Sequence, residues 1–227
     1  MNRRTFISGC VGLVIAPFSS YSYTPSLQEL TGKTSPQLTT SLLHPISKSF
    51  TVMKKDALKA GIHLDIISGY RSFSHQRVLW NKKYREFGGD IEQILQFTSI
   101  PGTSRHHWGT DVDIYDDSQT LPKDVLDLAH YSIRGRYHSF LSWMENHASS
   151  YGFYMPYTND TKRQGFSYEP WHWSFAPISK KSLNCFLESN WKTIVRDNTI
   201  KGNERFSEEF LDNYQRNFLQ GINEHLL

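Results

Sequence analysis

Cysteine is scarce in this chain, which has 2 among its 227 residues. Cys10 lies in an N-terminal segment that has the features of an export signal, so removal of that segment leaves Cys185 alone. The mature chain is therefore expected to contain no intramolecular disulfide, although export would allow one. Its stability must come mainly from packing.

Runs of basic residues are also missing. The 25 Lys and Arg residues are scattered among 22 Asp and Glu residues, and the net charge is only +3. Nucleic-acid binding usually requires a clustered basic face, so we expect no nucleic-acid partner. The mildly basic charge would suit an anionic polymer as substrate.

Long hydrophobic runs are missing as well. The apolar stretch at residues 9–18 is too short to span a membrane as a mature helix. Arg3 and Arg4 precede it and small residues such as Ser20 follow it. This order of a charged region, an apolar region and small residues indicates an export signal at residues 1–22.

The start of this segment helps to define the signal type. The order Arg-Arg-Thr-Phe-Ile at residues 3–7 resembles a bacterial twin-arginine signal, with a Sec signal as the alternative. Cys10 lies before most of the apolar stretch, which argues against a lipid anchor. We therefore expect a protein of the periplasm or cell envelope with no stable membrane anchor after signal removal.

Helical and strand patterns alternate along the chain without regular repeats, which favours an α+β fold. Apolar residues recur at helical spacing from Pro45 to Ala60 and from Tyr137 to Tyr151. A further helix is predicted to start at Ser72 or Ser74. The predicted strands cover residues 63–68, 153–157 and 171–175, with another in the segment after residue 103.

Three regions are predicted after the signal. Residues 23–40 are rich in Ser, Thr and Pro and indicate a linker or an arm that lies on the domain. Residues 41–180 hold all the motifs described below and form one domain. Residues 181–227 form a C-terminal helical extension with an apolar stripe at four-residue spacing, which usually packs on a core.

Two short stretches concentrate side chains that bind metals: SRHHWGTDVD at residues 104–113 and EPWHW at residues 169–173. A catalytic zinc ion keeps three protein ligands and an open position for water. His106, Asp113 and His172 would fill the three ligand positions, provided that the two stretches are neighbouring strands.

Strand alternation leaves two choices open. Asp111 and Asp113 share a face of an extended strand, so either could meet the metal. The adjacent residues His106 and His107 face opposite ways in an extended segment, so only one of them should be a ligand. The spacing does not say which one.

Pro170 separates Glu169 from the strand that carries His172. Because proline cannot donate to a central strand ladder, it usually marks the first residue of a strand or an edge. Glu169 should therefore lie in a loop, where it is free to approach a metal-bound water and act as a base.

Three blocks give the chain a specific resemblance: SGYRSFSHQ at residues 68–76, PGTSRHHWGTDVD at 101–113, and YGFYMPY at 151–157 with EPWHW at 169–173. In this order they resemble the zinc D-alanyl-D-alanine carboxypeptidases of the VanY type, in the wider group of LAS metallopeptidases. The resemblance implies a small antiparallel sheet that carries the zinc site and is flanked by helices, as in LAS and hedgehog-like folds. It makes residues 41–180 the peptidase domain.

The resemblance also implies roles for the metal-binding residues. The family pattern S-x-H-x-x-G-x-A-x-D aligns His106 and Asp113 with two zinc ligands. The pattern E-x-x-H aligns His172 with the third ligand and Glu169 with the catalytic base. Zn²⁺ is the implied cofactor.

Further residues match family positions around the site. Arg71 falls on the arginine of the Y-R-S block, which implies that it stabilises the oxyanion or holds a substrate carboxylate. Ser104 and Gln76 resemble positions that bind substrate or support the site. Residues 84–98 and 158–167 are expected to border the groove.

Asp111 departs from the family pattern, whose commonest form has alanine there. A carboxylate next to a metal site often orients a histidine ligand through its ring N–H. On this basis Asp111 could orient His106 or His107.

The implied activity is hydrolysis of the C-terminal D-Ala-D-Ala bond of peptidoglycan stem peptides by a monomeric enzyme. An L,D-carboxypeptidase and a peptidoglycan endopeptidase would use the same metal and base, so they are alternatives. A non-catalytic zinc module that only binds cell-wall peptide is an alternative of another class. The presence of Glu169 beside His172 argues against it.

Overall fold

A four-stranded antiparallel sheet lies at the centre of the fold, which a computed structural model describes for residues 23–227. In chain order the strands are β1 (Leu38–Thr39), β2 (Leu42–Leu43), β3 (Leu64–Ser68), β4 (Asp111–Asp116), β5 (Phe153–Tyr154) and β6 (His172–Phe175). β1 and β2 form a hairpin, and the central sheet has the order β3-β4-β6-β5.

The two inner strands bring the two sequence motifs side by side. Asp113 on β4 pairs with His172 on β6, and Asp111 pairs with Ser174. Side chains alternate along a strand, so Val112 points to the other face, where it is fully buried. The prediction that the two motifs lie on neighbouring strands is confirmed for Asp111–Asp113 and for His172.

Eight α-helices flank the sheet within residues 23–227, which confirms the predicted α+β class. The helix predicted from Pro45 to Ala60 is observed at His44–Lys59, one residue earlier at each end. Ser72 caps the following helix by accepting a hydrogen bond from the His75 N–H at 3.2 Å. The helices are α1 (Leu27–Leu30), α2 (His44–Lys59), α3 (Phe73–Glu86), α4 (Ile91–Leu95), α5 (His138–His147), α6 (Ala176–Glu188), α7 (Trp191–Val195) and α8 (Glu208–Tyr214).

Two hydrophobic clusters hold the sheet and its helices together. The first packs α2 and α5 against the sheet around Met53 and Phe140, which are fully buried. The second joins α3, α4, α6 and the C-terminal segment around Trp80. It also includes Trp108 and Tyr157, and the Tyr157 ring lies against His172 with 5.0 Å between the ring centroids. The second cluster therefore supports the side of the sheet that carries the histidine and aspartate residues.

The C-terminal segment packs on this same cluster. The boundary expected after residue 180 falls inside α6, because Ser179, Leu183 and Phe186 form one buried face that continues across it. Farther along the chain, Tyr214 is 1% exposed and its hydroxyl lies 2.7 Å from Thr103 Oγ1. Residues 181–227 are thus tied directly to the loop that precedes the first motif.

The N-terminal residues of the described chain also lie on the domain. Within residues 23–40, Leu30 is 2% exposed and its carbonyl accepts a hydrogen bond from Trp108 Nε1 at 3.0 Å. The export signal expected at residues 1–22 lies outside the described residues. Of the helices within residues 23–227, none has the length and apolar character needed to span a membrane.

Candidate metal centre

His106 and His107 lie on one turn of 3-10 helix, Arg105–Trp108, and not on an extended strand as the alternation argument assumed. Gly109 ends the turn with a φ of 66°, and a Cβ atom there would lie 2.8 Å from Leu38 Cδ2. Glycine is therefore favoured by the left-handed backbone, whereas the Leu38 methyl group could shift to make room for a Cβ atom. This turn determines which histidine faces the site.

Three buried side chains converge where this turn meets the two inner strands. Asp113 Oδ1 lies 3.5 Å from His106 Nε2 and 3.7 Å from His172 Nδ1. One ligand atom from each of the three residues lies within 4.8 Å of the others. A His-Asp-His set with this spacing can hold a metal ion.

The hydrogen bonding of His106 supports a cation at this position. His106 Nδ1 lies 2.8 Å from the carbonyl oxygen of Gly69, and a carbonyl can only accept, so Nδ1 carries the hydrogen. Nε2 therefore presents its lone pair toward Asp113 Oδ1. That oxygen is buried and has no hydrogen-bond partner. Two buried acceptors that face each other are unfavourable unless a positive ion lies between them, so the residues fit a metal.

His107 is directed away from this cluster. Its Nδ1 donates to the carbonyl of Arg71 at 2.6 Å, and its Nε2 accepts from the N–H of Gly102 at 3.1 Å. Both ring nitrogens are therefore occupied within the protein, and burial lowers the pKa of His107 to about 3. His107 is a neutral packing residue.

Asp111 lies behind His172, not beside His106 or His107 as we expected. Its Oδ1 lies 3.1 Å from His172 Nε2 and 2.8 Å from Arg105 Nε. The difference arises because the register of β4 with β6 sets Asp111 opposite Ser174, one pair beyond Asp113 and His172, and the residue of the turn that Asp111 contacts is Arg105 and not a histidine. Burial alone would raise the pKa of Asp111, but the Arg105 charge and the His172 contact hold it well below the ordinary value.

Glu169 lies on the cavity side of His172. Its Oε2 is 3.0 Å from His172 Nδ1, and 17% of its side chain is exposed. Its backbone N–H donates to the Tyr157 carbonyl, and β6 begins only at His172, so Glu169 precedes the strand as predicted. Burial alone would lower the pKa of His172, but hydrogen bonds with Asp111 and Glu169 raise it to about 9.

Arg71 is held toward the cluster by fixed contacts. Its Nη1 donates to Gln76 Oε1 at 2.9 Å, its Nη2 donates to Ser68 Oγ at 3.2 Å, and Nη2 lies 4.0 Å from Asp113 Oδ2. The Gln76 amide nitrogen donates to the Ser99 carbonyl at 2.8 Å, and Gln76 is 1% exposed. Gln76 therefore supports Arg71 and does not line the cavity over the cluster. Its expected role, to bind substrate or to support the site, stays a prediction.

A cavity of about 410 Å³ opens over the cluster. Arg71, Ser104 and Glu169 line it together with the three side chains of the cluster. The two segments expected to border the groove contribute Phe97 and Ser167. Ser104 is 2% exposed and lines this cavity.

A third border of the cavity was not identified from the sequence. It is formed by Asp124, Leu126 and Leu128, which belong to the irregular segment between β4 and α5. Leu126 is 36% exposed and Leu128 is 47% exposed, which gives this side of the cavity an apolar rim. The segment has neither periodicity nor a metal-binding motif, so the sequence carried no signal for it.

Comparison with models of known families shows which family the chain belongs to. The model of the VanY family, described as D-alanyl-D-alanine carboxypeptidase, matches residues 39–178, which is more than half of the chain. The chain belongs to the VanY family. The matched region contains the three metal-binding side chains together with Arg71 and Glu169.

Curated relatives agree with the VanY assignment. A D-alanyl-D-alanine carboxypeptidase of Enterococcus faecium is 29% identical over 162 residues, which cover 68% of this chain and 45% of that protein. The bifunctional D-Ala-D-Ala dipeptidase and D-Ala-D-Ala carboxypeptidase VanXYC of Enterococcus gallinarum is 32% identical over 121 residues, 52% of this chain and 60% of that protein. The chain thus spans about half the length of these relatives.

Solved structures show that the fold is of the VanY type. The structure of VanYB in complex with D-Alanine-D-Alanine has a TM-score of 0.50 at 21% identity and covers 72% of this chain and 88% of that one. The LdcB LD-carboxypeptidase has a TM-score of 0.51 at 23% identity and covers 69% and 71% of the two chains.

Proposed function

We propose that the chain is a zinc-dependent carboxypeptidase that releases the C-terminal D-alanine from peptidoglycan stem peptides. The observation that carries the proposal is the pair of facing acceptors, His106 Nε2 and the buried Asp113 Oδ1, with His172 Nδ1 beside them. Three such ligands with one side open to a cavity suit a catalytic zinc ion. Membership of the VanY family supports the substrate class.

His106, Asp113 and His172 would hold the zinc ion. When bound, the ion supplies Lewis-acid activation of a water molecule and of the scissile carbonyl. The Gly69 carbonyl fixes the ring of His106 and the Asp111 carboxylate contacts the ring of His172. The His106 ring is therefore already oriented for a metal, while His172 Nδ1 would exchange its contact with Glu169 Oε2 for the metal.

Glu169 would act as the general base and then as the general acid. Its carboxylate lies next to a ligand atom and faces the cavity. It would take one proton from the attacking water and give it to the nitrogen of the leaving D-alanine. The peptide bond is thereby replaced by a carboxyl group on the shortened peptide, which keeps the oxygen and the second proton of the water, and a free amine on the released D-alanine.

Arg71→Lys tests the part of the site that binds the substrate. The Arg71 guanidinium would hold a substrate carboxylate or the developing oxyanion with two parallel donors, and lysine cannot reproduce that geometry. Loss of one charged hydrogen bond costs about 1.5–3 kcal/mol, so we expect kcat/KM for D-alanine release to fall roughly 10- to 100-fold. Arg77→Lys is the matched control, because Arg77 donates to Thr199 outside the cavity. An unchanged kcat/KM for Arg71→Lys would contradict the assignment.

The proposed setting follows from the substrate. Peptidoglycan lies outside the cytoplasmic membrane, so the export signal expected at residues 1–22 and a site of action in the cell envelope belong to the same proposal. We propose that the enzyme acts there as a monomer, without a nucleic-acid partner and without a stable membrane anchor.

The experiment that tests the function is digestion of purified muropeptides with the zinc-loaded full chain, followed by product mass. A pentapeptide stem should lose one alanine, the activity should disappear when a chelator removes the metal, and added Zn²⁺ should restore it. Loss of alanine from a tetrapeptide alone would instead indicate an L,D-carboxypeptidase, and cleavage inside the stem an endopeptidase. Binding without cleavage of any stem would overturn the enzymatic proposal in favour of a peptide-binding module.

A further inference from the structure

Asp111 is a buried carboxylate beside the metal cluster that neither transfers a proton nor binds substrate in the mechanism proposed above. It is 0% exposed, although its pair of oxygens would be well hydrated in water. An ionised carboxylate is costly to bury unless its oxygens are satisfied by donors. Its contacts therefore indicate what it does.

The Asp111 carboxylate lies within hydrogen-bond distance of four donors. Oδ1 accepts from Arg105 Nε at 2.8 Å and lies 3.1 Å from His172 Nε2. Oδ2 accepts from the Thr110 hydroxyl at 2.5 Å and from the Ser174 hydroxyl at 3.0 Å. Both oxygens are thus satisfied, and the carboxylate cannot rotate without breaking several of these bonds.

Arg105 supplies the charge that keeps Asp111 ionised. The guanidinium is buried, it donates from Nη2 to Ser174 Oγ at 2.7 Å, and it lies 4.8 Å from the Trp108 ring. Its positive charge balances the carboxylate inside the protein. Asp111 is therefore held as a group that can only accept hydrogen bonds.

We propose that Asp111 is a positioning residue for the metal ligand His172. Because the carboxylate only accepts, it holds a ring hydrogen on Nε2. A bound metal would then take the lone pair of Nδ1, which lies 3.7 Å from Asp113 Oδ1, in place of the contact between Nδ1 and Glu169 Oε2. The imidazole ring itself separates Asp111 from the cluster, so Asp111 is not a fourth ligand. The inference rests on the proposed zinc function and deepens it.

The strand register supports this arrangement. Asp113 lies opposite His172 and Asp111 lies opposite Ser174 in the same antiparallel pair. On one face of the strand pair, Asp113 and His172 are the proposed ligands, and the neighbouring pair, Asp111 and Ser174, carries the supporting groups. Groups fixed on two paired strands hold their relative positions more rigidly than groups on loops.

Asp111→Asn tests the inference through metal binding. Asparagine keeps the size of the side chain but removes the charge that balances Arg105, and its amide can present a donor to the ring. We expect zinc affinity, measured by competition with a chromophoric chelator, to fall roughly 10- to 100-fold. The visible absorption spectrum of the cobalt(II)-substituted protein should change as well, because the orientation of His172 changes.

Asp116→Asn is the matched control. Asp116 is buried on the same strand and accepts from the backbone N–H groups of His63 and Ser118, away from the cluster. This variant is expected to keep both zinc affinity and the cobalt spectrum. A loss of zinc affinity as large as that of Asp111→Asn would show a general effect of β4 and overturn the inference.

The outcomes separate this inference from the proposed function. A wild-type chain that binds no zinc refutes the function. A wild-type chain that binds zinc while Asp111→Asn has equal affinity and an identical cobalt spectrum overturns only the role of Asp111. If Asp111→Asn does not fold, nitrogen-15 NMR of the histidines in the zinc-bound wild-type chain decides the matter. The ring hydrogen of His172 should be on Nε2, and a hydrogen on Nδ1 would overturn the inference.

Discussion

Glu169→Gln should lower kcat for D-alanine release by roughly 10²- to 10⁴-fold while zinc remains bound. Glutamine has nearly the shape of glutamate, but it cannot take a proton from water or return one to the leaving amine. The metal should be retained because His106, Asp113 and His172 are unchanged. The measurements are the rate of release from a pentapeptide stem and the zinc content by elemental analysis.

Glu145→Gln provides the matched control for this prediction. Glu145 is exposed on α5 and does not line the cavity over the cluster. Its substitution should leave both the rate and the zinc content unchanged. If Glu169→Gln kept most of the wild-type rate with one zinc ion bound, another group would have to be the base. If it lost the zinc ion, Glu169 would be part of the metal site.

The candidate metal cluster could be predicted in part from the sequence, because two of its members lie on paired strands. Alternation placed Asp111 and Asp113 on one face and left both open, the family pattern selected Asp113, and Pro170 indicated that Glu169 precedes its strand. The choice between His106 and His107 could not come from alternation, because both lie on a 3-10 turn. Resemblance to a family pattern selected His106, and the structure places this residue in the cluster.

Other features depend on long-range contacts that leave no local pattern. The partner of Asp111 could not be predicted, because its contact with His172 spans 61 positions and requires the register of β4 with β6. The rim at Leu126 and Leu128 lies on an irregular segment without periodicity. Helical periodicity predicted α2 well, but it could not show that α6 continues past residue 180.

Deletion of residues 206–227 is expected to abolish cooperative folding of the domain. Burial of a large apolar side chain contributes about 1.5–3 kcal/mol, while the whole stability of a domain is about 5–15 kcal/mol. The deleted contribution is therefore comparable to the total stability. The measurement is chemical denaturation followed by tryptophan fluorescence. The segment supplies these side chains, each at most 7% exposed, to the second cluster: Phe206, Leu211, Tyr214, Leu219, Ile222 and Leu226.

We expect the same deletion to weaken metal binding as well. Tyr214 holds the loop before the first motif, because its hydroxyl contacts Thr103 Oγ1 at 2.7 Å and accepts from the Ile100 N–H at 3.4 Å. Without these contacts the turn that presents His106 would lose its support from the second cluster. Zinc affinity should therefore fall together with the free energy of unfolding.

Substitution of each of two adjacent leucines tests whether burial of apolar side chains is the source of the stability that the C-terminal segment contributes. Leu226 is fully buried, and Leu226→Ala should lower the free energy of unfolding by about 2–5 kcal/mol. Leu227 is 48% exposed, and Leu227→Ala should change it by less than about 0.5 kcal/mol. If the chain without residues 206–227 folded cooperatively and bound zinc, the C-terminal segment would be an appendage and residues 41–180 would carry their own core. Equal effects of the two leucine substitutions would likewise contradict packing as the source of the stability.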